Sequence, residues 1–269
     1  MNYPKITVVT PSYNQAEFLE RTILSVINQD YPNLEYIVCD GGSTDGSVDI
    51  IKKYEKDITW WCSEKDKGQT DAINKGMRRA TGEIVGWINS DDVLLPGALR
   101  IIGNYYVKHP ETDFVNGLTI QIDKSDRIIR FIHIIMSKFF FERGCYNISQ
   151  QGMFWKRKLF EKIGFLNDSF HAKMDVEWLI RNYESHSKIQ LLNKYIGAIR
   201  IYDDTKTARG GSIWIDDYNR ILAMYKGRYS PVHGVARMPF IMYKMIKGCY
   251  LKNWLMKKKY KGKPYNKLG

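Results

Sequence analysis

The 269-residue sequence predicts an α/β fold: a doubly wound, mostly parallel sheet, a mixed second half and a basic helical C-terminal tail. Three observations lead to it. Through the first 110 or so residues, short β-branched runs alternate with stretches of helical periodicity, as expected of parallel strands joined by crossover helices. From about Asp113 the strand-like runs follow one another directly, as in a mixed or antiparallel region. Beyond Asp217 the chain carries 13 Lys and Arg and no Asp or Glu.

The elements follow in order. Residues 5–10 read as a buried strand, Pro11-Ser12-Tyr13-Asn14 as its exit loop, and residues 15–28 as a helix through Phe18, Leu19, Ile23, Val26 and Ile27. A second strand over 34–39 ends at Asp40. The tight loop Gly41-Gly42-Ser43-Thr44-Asp45-Gly46-Ser47 then opens a helix that runs to about Lys56. Residues 58–61 form a third short strand, and 70–80 a helix whose exit is marked by Thr81-Gly82. A fourth strand over 82–88 runs out at Asn89-Ser90-Asp91-Asp92. Pro96 suits the first position of the next helix. In the second half, residues 114–122 and 127–135 look like strands, with helices near 156–163 and 175–184.

The chain is long enough for one large domain with an appendage, here residues 1–217 and 218–269. Hydrophobic content of 44% and charged content of 26% are ordinary for a soluble globular protein. The net charge of +12 belongs to the tail, because residues 1–217 hold 28 basic and 29 acidic side chains. In the tail those cations are mixed with Met238, Phe240, Met242, Leu251, Trp254 and Leu255. That mixture suits an amphipathic segment on an anionic membrane surface; the alternative is a solvated basic helix packing its apolar side on the body. The best candidate span, 235–251, is interrupted by Arg237, Lys244 and Lys247. Met1-Asn2-Tyr3-Pro4-Lys5 leads straight into a strand, so no secretory leader is expected. Cys39, Cys62, Cys145 and Cys249 lack any C-x-x-C spacing and read as reduced thiols. A cytoplasmic protein, peripheral at the inner face of the membrane, is the expected setting.

Three polar loops close three successive strand positions: residues 11–14, 40–47 and 89–92. In a parallel sheet they fall along one edge, at the carboxyl ends where ligands bind. A strand-end Asp can accept from a ribose hydroxyl or a base N–H, and a second carboxylate can hold a metal on a diphosphate. Adjacent aspartates repel, and a divalent cation, Mn²⁺ or Mg²⁺, would relieve that cost. The bland alternative for each loop is a solvated turn with an Asp helix cap. The Gly41-Gly42 pair allows close approach of the backbone to a ligand. No G-x-G-x-x-G follows the first strand, and neither G-x-x-x-x-G-K-[ST] nor G-x-S-x-G occurs. His109, His133, His186 and His233 show no metal-ligand spacing.

Four motifs carry a resemblance: Thr7-Val8-Val9-Thr10-Pro11-Ser12-Tyr13-Asn14, Asp40-Gly41-Gly42-Ser43-Thr44-Asp45-Gly46-Ser47, the run over 63–76, and Asn89-Ser90-Asp91-Asp92. In this order and spacing they resemble family-2 glycosyltransferases, inverting enzymes of GT-A fold that use nucleotide sugars. The resemblance covers roughly residues 5–185. It implies that Pro11, Tyr13 and Asp40 line the nucleotide pocket, with Asp40 reading the base or ribose. It brings Asp66, Lys67 and Gly68 to the nucleobase. It makes Asp91 the metal-binding carboxylate closing the D-x-D motif, with Asp92 beside it; Asn89 replaces the first Asp of that motif. The segment Ser169-Phe170-His171-Ala172-Lys173-Met174-Asp175-Val176-Glu177-Trp178-Leu179-Ile180-Arg181 resembles the one that carries the catalytic base, which makes Asp175 that base. By itself an Asp there is a helix N-terminal carboxylate. In Gln150-Gln151-Gly152-Met153-Phe154-Trp155, Gln150 stands where relatives often have His, and Gln151 is expected on the sugar or acceptor. Arg209-Gly210-Gly211-Ser212 could close over the diphosphate or be a plain Gly loop. The Q-x-x-R-W motif of processive members is missing from the sequence, which implies one sugar per encounter.

The expected activity is transfer of one sugar from a nucleotide-sugar donor to a lipid-linked or oligosaccharide acceptor in surface-polysaccharide synthesis. A nucleic-acid-binding protein using the basic tail is a different class. The neutral body with acidic strand ends speaks against it, since carboxylates repel a phosphate track. A nucleotidyltransferase would also use paired carboxylates and a metal, but would show a basic Gly-rich N-terminal loop that this chain lacks.

Overall fold

The computed structural model describes residues 3–145, 148–203, 205, 211–226, 228–229 and 237–268. Four parallel strands form its first half: β1 (Ile6–Ser12), β2 (Leu34–Asp40), β3 (Trp60–Ser63) and β4 (Ile84–Trp87). They lie in the order β3-β2-β1-β4, with Ile6 opposite both Leu34 and Ile84. Between them run α1 (Ala16–Ile27), α2 (Ser47–Lys53) and α3 (Gln69–Arg79). Alternate residues of β1 enter opposite cores. Ile6 and Val8 pack with Leu19 and Ile23 of α1, and Val9 packs with Ile73 and Met77 of α3. Both faces are therefore covered, which the buried, β-branched strands require.

Strand β1 runs two residues past the predicted end, so Pro11 and Ser12 pair with Cys39 and Asp40. Its ladder to β4 stops at Val9 and Trp87, and Pro11 sits where β1 has only one partner. Strand β3 lies two residues later than predicted, and Ser63 faces Asp40. Val93–Leu94, expected to lead into a helix at Pro96, instead forms β5. The next helix, α4 (Ala98–Lys108), starts behind Gly97, which holds φ of 73°.

The second half adds β6 (Phe114–Ile122), β7 (Ile128–Ile132), β8 (Met153–Lys156) and β9 (Ile189–Arg200). Strand β8 is antiparallel between β4 and β6, β9 is parallel to β6, and β5 is antiparallel to β9. The sheet is thus parallel on one side and mixed on the other, as the change of pattern near Asp113 predicts. Helices α5 (Lys138–Phe141), α6 (Leu159–Ile163) and α7 (Met174–Glu184) follow, with Trp178 of α7 4.5 Å from Trp155 of β8, centroid to centroid. The tail is helical: α8 (Ser212–Met224), α9 (Arg237–Ile246) and α10 (Cys249–Tyr260). The charge boundary after Asp217 falls inside α8, so it marks no break between elements.

At the edge opposite the motif loops, Glu35 ties three strand starts together. It accepts from Lys5 Nζ at 2.9 Å, Thr7 Oγ1 at 2.6 Å, and the backbone and hydroxyl of Thr81. Burial alone would raise this carboxyl, but those donors outweigh it and hold it at about 2. A depressed folded-state value contributes stability above the unfolded value that is lost as the group protonates. Thermal unfolding of the native chain should therefore weaken more between pH 4.5 and 2 than that of Glu35→Gln, which should be less stable at neutral pH. Parallel pH profiles for the two proteins would contradict this.

Candidate active site

The three motif loops meet at the carboxyl edge of β2, β1 and β4, which are neighbours in that order. The first two are stitched together. Asn14, at φ 49°, donates its backbone N–H to Ser43 Oγ at 2.8 Å and accepts from the Thr44 N–H at 3.0 Å. Asp45 accepts from the first-turn amide of Ala16. Pro11 is buried at the end of β1, whereas Tyr13 stands 62% exposed above the edge.

Asp40 is buried and braces its own loop. Its oxygens accept from the Gly42 and Ser43 amides, from Ser43 Oγ at 2.5 Å and from Ser63 Oγ at 2.7 Å. Asp66 lies against Gly41, where a Cβ would come within 2.7 Å of its Oδ2. The close approach foreseen at the Gly pair is thus to a neighbouring side chain. Asp66 also accepts from the Gly68 amide, and Asp71 from that of Lys67. The loop at 66–68 thereby docks beside Asp40 and leads into α3.

The Asp pair divides its tasks. Asp92 is buried, and it accepts from the Arg200 amide at 2.9 Å, from Gln151 Nε2 at 2.7 Å and from Asn89 Nδ2 at 3.1 Å. Burial and the neighbouring Asp91 charge push its carboxyl up to about 8, against those donors. Asp92 was expected beside Asp91 on the metal. Both its oxygens are instead engaged below the surface, and it braces the strand end. Asp91 is half-buried at the rim and accepts from the Tyr202 hydroxyl at 3.0 Å. Its backbone carbonyl accepts from Arg200 Nε, and Arg200 is itself paired with Asp126 at 2.7 Å.

Gln151, expected on the sugar, is likewise buried and spends its amide on Asp92 while accepting from Ser149 Oγ. Gln150 donates to the Trp87 carbonyl at 2.6 Å. Asn89, the departure from the D-x-D pattern, joins the pair to α3, because its side-chain oxygen accepts from Gln69 Nε2 at 2.7 Å. One residue on, Thr70 Oγ1 donates to the Phe170 carbonyl at 3.1 Å. This last contact holds the segment ahead of Asp175 against the same edge.

Asp175 lies in the first turn of α7 and is partly buried. Burial raises its carboxyl, opposed by the Val176 amide at 2.8 Å and by the Lys173 ammonium. Glu177 points elsewhere. It is 1% exposed, clamped by Arg181 Nε at 2.9 Å and by the Tyr225 hydroxyl at 3.0 Å. The approach to α7 is fixed from the tail side, where Asp217 Oδ2 accepts from the amides of His171, Ala172 and Lys173 at 2.6–3.0 Å. The sequence carried no signal for Tyr202 or Asp217, and Gln69 lay unnamed within the motif run over 63–76; their roles rest on contacts between distant segments. Arg209 and Gly210 of the candidate closing loop, and His233, lie outside the described residues.

A divalent cation fits this donor set in one way. Among the described residues no three His, Cys, Asp or Glu side chains form a ready-made cage. A Mg²⁺- or Mn²⁺-type ion held by one carboxylate and completed by diphosphate oxygens and water needs none, and Asp91 is the rim carboxylate able to supply that contact.

The sequence profile of glycosyl transferase family 2 matches residues 7–186. TuaG of Bacillus subtilis, named as a teichuronic acid biosynthesis glycosyltransferase, is 41% identical over 133 residues, 48% of this chain and 53% of its own. The GalNAc(5)-diNAcBac-PP-undecaprenol beta-1,3-glucosyltransferase of Campylobacter jejuni is 37% identical over 103 residues, 37% of this chain and 33% of its own. The chain thus spans between a third and about half the length of these curated relatives. Among solved structures, the mannosyltransferase PcManGT of Pyrobaculum calidifontis, in complex with GDP-Man and Mn²⁺, superposes with a TM-score of 0.63. It is 18% identical, covering 83% of this chain and 65% of that one, and shares the GT-A fold. With a profile match over most of its length and the motif loops gathered at one sheet edge, the chain belongs to glycosyl transferase family 2.

Proposed function

We propose that this protein is an inverting glycosyltransferase that moves one sugar from a nucleoside-diphosphate sugar to a hydroxyl of a lipid-linked saccharide acceptor. The observation that carries the proposal is the meeting of the Asp91 rim with the Asp175 segment at one sheet edge, through Asn89, Gln69, Thr70 and Phe170. The relatives' printed names, which include teichuronic acid biosynthesis and an undecaprenol-linked acceptor, support surface-polysaccharide assembly as the setting.

In this reading the nucleotide lies along the loops of β1 and β2, against Pro11, Tyr13, Asp40, Asp66, Lys67 and Gly68. Asp175, made more basic by burial, takes the proton of the acceptor hydroxyl. That oxygen attacks the anomeric carbon while the bond to the diphosphate breaks, so configuration inverts and no covalent enzyme intermediate forms. A divalent cation bound at Asp91 would supply Lewis-acid stabilisation of the leaving diphosphate. Asp92, Gln151 and Arg200 keep Asp91 in place.

The tail supports a membrane setting. Among the described residues no helix is long and apolar enough to cross a bilayer. One side of α9 and α10 packs on the body: Phe240 and Tyr243 on Phe140, and Tyr260 on Phe131. The other side leaves Met242, Met245, Ile246, Leu251 and Trp254 exposed, Ile246 by 80%. Apolar side chains among cations without any carboxylate fit the interface of an anionic bilayer at the cytoplasmic face.

Three outcomes test these assignments. Asp91→Asn should abolish the Mn²⁺-dependent thermal stabilisation given by nucleoside diphosphates while the metal-free melting point holds; an unchanged response removes Asp91 from the metal. Asp175→Asn should lower turnover by about 10² to 10⁴ with donor binding kept. Near-normal turnover at saturating acceptor would show that another group is the base. Replacing Leu251, Trp254 and Leu255 by Ser should weaken flotation with anionic liposomes, as should raised salt, since each nearby cation contributes about 1 kcal/mol. Equal binding by both proteins would place the contact elsewhere.

A further inference from the structure

Cys39 and Cys62 are direct partners in the ladder between β2 and β3. In-register residues of adjacent parallel strands point to the same face, with strands about 4.8 Å apart, inside the roughly 4.4–6.8 Å window of Cα separations that a disulfide spans. Both thiols lie in the apolar cluster beneath α3, in register with each other across the strand pair. Their surroundings differ. Cys39 is 1% exposed and closed in by Gly76, where a Cβ would come within 3.2 Å of its Sγ. Cys62 is only half-buried, on the edge strand of the sheet, where small shifts are tolerated.

Nearby charge acts on both thiols. Lys75, paired with Glu64 at 2.9 Å, and Arg79, stacked on Trp60 at 4.0 Å, lie on the side of α3 that faces Cys62. Contact with the Cys39 thiol, then these two cations, hold the Cys62 thiol below its ordinary range, against burial and Glu64. The same contact and burial push Cys39 up. A half-exposed, more acidic thiol therefore sits beside a buried thiol that is in register to resolve it.

We propose that Cys39 and Cys62 form a peroxide-sensitive dithiol at the nucleotide edge of the sheet. The Cys62 sulfur attacks hydrogen peroxide, the O–O bond breaks, and Cys62 becomes a sulfenic acid as hydroxide leaves and is protonated to water. The Cys39 sulfur then attacks Cys62 and displaces its hydroxyl, which leaves as a second water with the Cys39 proton. Two thiols are oxidised and one peroxide is reduced to two waters. The bond forms one rung before Asp40 and Ser63, which share a 2.7 Å hydrogen bond at the base of both nucleotide-side loops. Drawing the sulfurs together should displace that rung and weaken nucleotide binding. This last consequence rests on the donor-site reading above; the dithiol itself does not.

The test treats the full chain with a small molar excess of hydrogen peroxide, followed by alkylation and peptide mapping without reductant. A Cys39–Cys62 cross-linked peptide, reversed by dithiothreitol, is the expected main product, with Cys145 and Cys249 still alkylated. Cys39→Ser should trap the Cys62 sulfenic acid for capture by dimedone. Cys62→Ser should lose the dimedone-reactive sulfenic acid along with the cross-link, and a dimedone adduct retained in that variant overturns the proposal even should the buried substitution fail to fold. Oxidation of Cys62 to sulfinic acid without cross-linking in the native chain, or a main cross-link through Cys145, overturns the proposal. The Mn²⁺-dependent thermal shift with UDP and GDP should weaken several-fold on oxidation and recover on reduction. A nucleotide response that is equal in both forms overturns the coupling. A response lacking in both forms, with the cross-link present, counts against the donor site alone.

Discussion

Asp92 is the group on which the site's geometry depends. A buried carboxylate must have its lone pairs filled, and here the donors come from three separate parts of the chain: Asn89 beside it, Gln151 in the turn before β8, and the Arg200 amide at the end of β9. Leaving a buried donor without its acceptor costs about 1–3 kcal/mol, so these segments hold one another in register. The network extends through Ser149 to Thr119 of β6. It joins the parallel half of the sheet to the mixed half where the rim carboxylate Asp91 emerges. Asp91 can then present a fixed oxygen because its neighbour is locked.

The wall around Asp175 is built by the same kind of constraint. Three successive amides, those of His171, Ala172 and Lys173, converge on one oxygen of Asp217, the last acidic residue before the basic tail, in α8. Glu177, two positions beyond Asp175, is turned into the core by Arg181 and Tyr225. The separation of tasks between these acids follows from helical geometry, since residues two apart lie on different faces. The tail is therefore part of the site's framework on one side and a basic, partly apolar surface on the other.

Much of the fold was legible in the amino-acid pattern. The alternation of strands and helices up to residue 108 appears with strand ends moved about two residues at β1 and β3, where tertiary pairing with Asp40 extends them, and with the unforeseen short strand β5 before α4. Strand β9 was not visible. It alternates exposed and buried positions irregularly and carries register shifts opposite Gly117 and Leu118, so no clean period of two survives. Strand β8 is too short to show in the pattern, since four residues flanked by a turn and a helix carry too little periodicity. Two residues of the expected site, Asp92 and Gln151, have their side chains drawn inward by partners far away in sequence, a placement that residue type and position do not encode.

By itself the sequence determined the class of fold, the order of its elements, the strand-end loops that carry the family motifs, and the segregation of all excess positive charge into the tail. Those are properties of local composition and spacing, which short windows of chain already express. Only the tertiary structure decided which carboxylate of the pair reaches the rim, which acid of α7 stays out of the core, what anchors the approach to Asp175, and that two widely spaced cysteines face each other across a strand pair. Each depends on burial and on contacts between segments dozens of residues apart or more, and those are set by how the sheet is assembled rather than by any stretch of sequence taken alone.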